Sequence, residues 1–161
     1  MLTYADAAVP HLLTQYQYVF EQLDQLPDDP TPEQLKRAQA IVAAPKPAGR
    51  AATLEEIYAE RTLSMNDGPE RIALPIQALR VGDVAVGGIP NEVFVEIGLE
   101  FKRRSPFKPS FIMSIANGYY GYLPTPEQHK LGGYETWLGT NVVQEDASVI
   151  IVKNLLEMLA E

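Results

Sequence analysis

Two apolar runs, Arg71 to Val81 and Val84 to Ile89, are separated only by Gly82-Asp83. So short a break leaves room for a tight turn and nothing else, which commits the runs to an antiparallel hairpin. Pro75 inside the first run removes a ladder donor, and places that strand at a sheet edge or at a bulge. Pro90 closes the hairpin. The spacing of Phe94, Ile97, Gly98 and Phe101 predicts a helix from Asn91 to Arg104, with Glu100 and Arg104 one turn apart. Phe111 to Ile115 reads as a buried strand, and Asp146 to Ala160 as a helix with Val149, Val152, Leu155, Leu156 and Leu159 inward.

Upstream the pattern is helical. Val9, Leu12, Leu13, Tyr16, Val19, Phe20 and Leu23 recur at three- and four-residue steps, predicting a helix over Tyr4 to Leu26. Thr31 with Pro32 and Gln34 opens a second helix to about Ala44, and Thr53 with Glu56 opens a third, Leu54 to about Met65, across the extended linker Pro45 to Arg50. Residues 1–66 thus form a helical region and 70–161 an α/β region, within one unit. The fold class expected is α/β, a small mixed or antiparallel sheet flanked by helices. Three strands are few for an independent sheet, so the chain reads as an incomplete part of a larger α/β catalytic domain.

At 161 residues the chain is long enough to bury a core. A formal net charge of −8 argues against nucleic-acid or anionic-lipid partners. The basic run Lys102-Arg103-Arg104 falls at a helix end, where cations complement the dipole. No cysteine is present, so any metal must take oxygen or histidine ligands. No stretch approaches a transmembrane span, and the first residues lack the basic-then-apolar pattern of a signal peptide; compartment is left open.

Both later strands empty into irregular loops, the second into Asn117-Gly118-Tyr119-Tyr120-Gly121-Tyr122 and then Gly132-Gly133-Tyr134-Glu135. Open α/β sheets bind ligands at such strand ends. Read alone, Glu92 is a carboxylate at a helix start, and each tyrosine is an amphipathic packing residue. His11 reads as helix packing and His129 as solvated, and phosphate-loop, dinucleotide, nucleophile-elbow and His-Glu-x-x-His patterns are all missing.

The ordered pieces Gln77 to Asp83, Gly88-Ile89-Pro90-Asn91-Glu92-Val93-Phe94, Asn117 to Tyr122 with Thr125-Pro126-Glu127, and Gly133-Tyr134-Glu135 resemble the C-terminal half of the catalytic domain of the neutral/alkaline ceramidases, over roughly Tyr58 to Leu159. The resemblance implies zinc-dependent hydrolysis of an N-acyl amide, ceramide or a related lipid. Glu92 matches the family's glutamate ligand, with Val93 inserted before the phenylalanine. Tyr122 matches its tyrosine ligand, and Tyr134, twelve residues on, the phenol that donates to the scissile carbonyl. These side chains are then expected on one concave site. The family's histidine ligands belong to an N-terminal half with no counterpart here. The implied state is half a metal site, binding zinc weakly or not at all until the missing half or a second copy completes it. The alternative is a non-catalytic binding or assembly module that keeps the fold without the metal.

Overall fold

The predicted hairpin forms. In the computed structural model, which describes residues 16–23, 30–68 and 72–160, β2 (Ile72–Val81) pairs antiparallel with β3 (Val84–Gly88) in a register from Gln77 opposite Gly88 to Val81 opposite Val84. Gly82 takes φ 60° at the first loop position, a left-handed conformation that a β-carbon resists. The sheet order is β1-β2-β3-β5, where β1 is Tyr16–Leu23 and β5 is Ser110–Met113. β1 runs antiparallel to β2 and β5 parallel to β3, so the sheet is mixed.

β1 overturns part of the expected N-terminal helix. Tyr16, Tyr18 and Phe20 also alternate at period two, and aromatic and β-branched residues favour a pleated surface. With β2 offering an open edge, the extended pairing wins over a helical periodicity that has no partner face. The rest of that expected helix, His11 included, lies outside the described residues. Pro75 is a partial correction as well. β2 is an interior strand, but Pro75 faces Phe20 of β1 beyond the end of the β3 ladder, so only one of its flanks is paired.

Helix α3 (Val95–Arg104) links the parallel strands, and helix α5 (Ala147–Ala160) packs on β2 and α3. Between them lies the core, including Ile76, Ala78, Ala85, Phe101, Ile151 and Leu155. Ala78, Gly87 and Ile112 lie in one row across three strands on this face, and a β-carbon on Gly87 would meet both Ile112 and Leu155. The opposite row, Leu79, Val86 and Phe111, is only partly covered. β5 is therefore an edge strand with one exposed face, Phe111 and Met113 being 40% and 53% exposed, and not the buried strand expected. Val149, placed inward by the sequence, is also exposed, because α5 turns its Ile151, Val152 and Leu155 side to the core. Glu100 prefers Arg103, at 2.8 and 2.9 Å, over Arg104 at 3.7 Å.

Helices α1 (Pro32–Ala43) and α2 (Leu54–Asn66) pack on each other. Both expected capping boxes are present, Thr31 with Gln34 and Thr53 with Glu56. Arg50, at the end of the linker, pairs with Glu56, which lies well below the ordinary carboxylate range at about 2 through that bond and the Thr53 amide. No helix among the described residues is long and apolar enough to cross a membrane.

Candidate functional site

Beyond Gly88 the third strand continues, through the buried Ile89, Pro90 and Asn91, into β4 (Glu92–Val93). β4 pairs in parallel with β6 (Tyr122–Leu123), and the register sets Glu92 opposite Tyr122. The Glu92 amide donates to Gly121 O at 2.9 Å, and the Tyr120 amide to Pro90 O at 2.9 Å. Asn91 fastens both sides of the junction. Its Nδ2 donates to Tyr120 O at 2.8 Å, while its carbonyl accepts from Ser114 Oγ at 2.8 Å and from the Ile115 amide at 3.0 Å. Glu92 is consequently a strand residue and not the helix-start acid expected. Helix α3 begins three residues later, at Val95, because the amides of Glu92 and Phe94 are committed to Gly121 O and Leu123 O; its N-cap is Phe94, whose ring offers no acceptor.

Two phenols converge on the Glu92 carboxylate. Tyr119 Oη donates to Glu92 Oε1 at 2.8 Å, and Tyr122 is hydrogen-bonded to the same carboxylate. Those bonds hold the phenols neutral. Tyr122 is pushed up to about 12, first by the hydrogen bond to Glu92, then by burial and by the negative charge beside it; Tyr119 is raised for the same reasons. Tyr134 follows Gly132 and Gly133 in a short 3-10 turn, Tyr134–Thr136, and its ring meets Tyr122 edge-on at 5.8 Å between centroids. From there the aromatic contacts run on to Trp137 at 5.9 Å and to Tyr58 of α2 at 5.2 Å.

Glu92, Tyr122 and Tyr134 are thus gathered at one end of the sheet. His129 is not among them and is not solvated as expected: it sits in helix α4 (Pro126–Leu131), with Nε2 3.1 Å from Asn141 Nδ2. Sequence reasoning passed over Tyr119, whose only signal was its crowding with Tyr120 and Tyr122, and Arg61, which had none. Arg61 stands beside the cluster on α2, 5.1 Å from the Tyr58 ring centroid, and donates to Thr140 Oγ1 at 3.2 Å. A cleft of about 230 Å³ opens here between Arg61, Tyr119, Tyr134 and Thr140. A larger one, about 360 Å³, lies between α3 and α5 and is lined by Glu96, Glu100 and Arg104; Glu100 is held by the arginines of its own helix and Glu96 accepts from Gln128.

As donors for a divalent cation, one carboxylate flanked by phenols supplies oxygen ligands, with phenolic protons occupying the positions a cation would claim. No group of three His, Cys, Asp or Glu residues comes together among the described residues. The set suits part of a coordination shell.

No protein-family model matches the chain, and no curated protein does. Among solved structures, the neutral ceramidase from Pseudomonas aeruginosa is similar at 17% identity with a TM-score of 0.51, over 89% of this chain and 28% of that one. A ceramidase complexed with C2 aligns at 22% identity with a TM-score of 0.47, over 56% of this chain and 14% of the other. The chain spans less than a third of the length of either protein. At such identities the likeness is one of fold, and the fold is ceramidase-like.

Proposed function

We propose that this chain is one part, the C-terminal one, of a zinc-dependent amidohydrolase of the ceramidase type, and that it supplies Glu92 and Tyr122 as metal ligands and Tyr134 as a hydrogen-bond donor. The observation that supports it is the register of β4 on β6, which sets Glu92 opposite Tyr122 while Tyr134 packs on the Tyr122 ring. The reaction is hydrolysis of an N-acyl amide: water adds to the carbonyl carbon, the C–N bond breaks, and a carboxylate and an amine leave. Zinc, when bound, polarises the carbonyl and acidifies the attacking water. The chain's own residues prepare for that. Glu92 fixes the Tyr122 phenol by a hydrogen bond, and loading the site exchanges the phenolic proton for a cation. The Tyr134 hydroxyl donates to the developing oxyanion, a contribution of about 3 kcal/mol.

The rest of the site comes from a second polypeptide segment carrying histidine ligands, and the open side of β5 is where it adds. Pro109 O and Met113 O accept from β3, so strand alternation turns the amides of Ser110 and Ile112 outward, beside the exposed Phe111 and Met113. The test is complementation. Purified with a segment that supplies the histidines, the chain should hold stoichiometric zinc and release fatty acid from a labelled N-acyl amide. Glu92→Gln should lose the metal, whereas Tyr134→Phe should keep it and lose about 100-fold in kcat. Alone, the chain should retain little zinc after dialysis. If a stable complex holds no zinc, or if Tyr134→Phe is neutral, the reading fails, and the second one stands, in which the same open edge serves a non-catalytic assembly module.

A further inference from the structure

We propose that the cleft beside Tyr134 is a carboxylate subsite with Arg61 as its anion-binding residue, so that the N-acyl amide this chain accepts carries a carboxylate near its amide, as an N-acyl amino acid does. The proposal takes hydrolysis from the function proposed for the Glu92 site, but the binding it asserts belongs to this chain alone.

Arg61 is seated with unusual care. Gly139, at φ 79°, leaves room for its stem, since a β-carbon there would come within 2.7 Å of Arg61 Cβ. Thr140 Oγ1 accepts from Nη1 at 3.2 Å and also contacts Tyr58 Oη at 2.8 Å, while the Tyr58 ring lies under the guanidinium. Three devices therefore hold the cation in place, and none of them neutralises it. Arg37, Arg50, Arg103 and Arg104 all pair with glutamates, whereas Arg61 and Arg80 have no carboxylate partner among the described residues. Arg80 is exposed, donating to Gly82 O and lying over the Phe107 ring, while Arg61 is half-buried and lines a cleft. In a chain with 21 acidic residues and 13 basic ones, an acid at that spot is easily supplied, and its omission leaves a half-buried cation facing a cleft.

What fills the cleft must then bring the negative charge. A planar carboxylate matches the guanidinium fork, and the Tyr134 hydroxyl, which makes no hydrogen bond among the described residues, lines the same cleft as a hydrogen-bond donor. Tyr134 also packs on Tyr122, so it bridges the anion subsite and the Glu92–Tyr122 pair. A substrate lying across it places a carboxylate at Arg61 and an amide toward Glu92.

The single tryptophan, Trp137, packs edge-on against both Tyr58 and Tyr134 and reports occupancy by fluorescence. Titrating the metal-free chain with N-octanoylglycine should give a saturable change, and calorimetry the same isotherm. N-octanoylglycinamide, equal in shape and uncharged, should bind at least tenfold more weakly. Arg61→Met should bring the acid down to the level of the amide, while Arg61→Lys, which keeps the charge without the fork, should fall between them. Circular dichroism checks that both variants fold. Equal binding of acid and amide by the unaltered chain, no binding of either, or inorganic phosphate competing as well as the acid would each overturn the proposal without touching zinc or hydrolysis. Conversely, a complemented enzyme that fails to take up zinc leaves this subsite standing if the acid binds.

Discussion

The two faces of the sheet are built by the same strands and finished in opposite ways. On one, the row Ala78, Gly87 and Ile112 is covered by Phe101 of α3 and Leu155 of α5, with Ile112 half-buried at the sheet edge. On the other, the row Leu79, Val86 and Phe111 ends in exposed apolar side chains, and beyond Gly88 the chain passes into the β4-β6 pair that carries the carboxylate-phenol cluster. The first face is complete within the chain. The second is finished by the chain only at its polar end, where Asn91 binds both loops, and is left open along β5. A sheet closed on one side and prepared on the other is what a contributor to a shared site requires.

The largest effects should fall on the closed face. Phe101 is fully buried, so Phe101→Ala removes a ring from a packed core and should cost about 3–5 kcal/mol in urea unfolding, a large share of the stability of a marginally stable domain. Phe111→Ala, the same substitution on the open face, should cost less than about 0.5 kcal/mol in the isolated chain. The same Phe111→Ala should weaken complementation. If Phe111→Ala destabilises the chain as much as Phe101→Ala does, the two faces are not different in kind and the open edge is an ordinary surface.

A second contrast lies in the proton chemistry of the site. Tyr122 ordinarily ionises at 10.0 and is held neutral to about 12 in the folded chain, so it contributes stability that is fully present below pH 10 and is lost as pH rises through 12. Phenolate absorbance should show Tyr119 and Tyr122 titrating above the ordinary phenol value, and stability should fall between pH 10 and 12. Glu92→Gln removes the charge that opposes ionisation and should bring both phenols earlier. A bound dication reverses the sign, drawing Tyr122 into its phenolate form at lower pH. Late titration unchanged in Glu92→Gln would mean that burial, and not Glu92, governs these phenols.

How much of this the sequence discloses depends on how local the physics is. The capping boxes at Thr31 and Thr53 and the turn at Gly82 are decided within four residues, and all are readable from the amino-acid order itself. The strand β1 is not, because Tyr16 to Leu23 carries helical and extended periodicities together and the choice belongs to the distant edge of β2. Glu92 shows the same dependence. Its neighbourhood suggests a helix start, whereas the pairing with Tyr122, 30 positions away, makes it a strand. Its proximity to Tyr122 is legible only through the family resemblance, since no spacing rule joins the two. Arg61 is illegible altogether: its seat is made by Gly139 and Thr140, and nothing in a helix sequence announces a missing counter-ion.

A modest gain in stability separates a prepared surface from a neglected one. Ile115, the last apolar residue on the open side, holds φ 55°, a left-handed conformation that β-branched residues avoid at a cost of about 1–2 kcal/mol. Its side chain is 51% exposed, so burial returns little of that strain. Asparagine tolerates this conformation, and Asn117 two residues on adopts it at φ 63°. Ile115→Asn should therefore stabilise the isolated chain by about 1 kcal/mol in urea, keeping the Ile115 amide bond to Asn91 O that anchors the tyrosine loop. A residue that destabilises the free chain and faces solvent is explained if it is buried by something else. The same variant should then be more stable alone and weaker in complementation, a crossing of effects that a purely structural role for Ile115 does not produce. If Ile115→Asn stabilises the chain and complements fully, the open face has no partner at this position, and docking is confined to Phe111 and Met113.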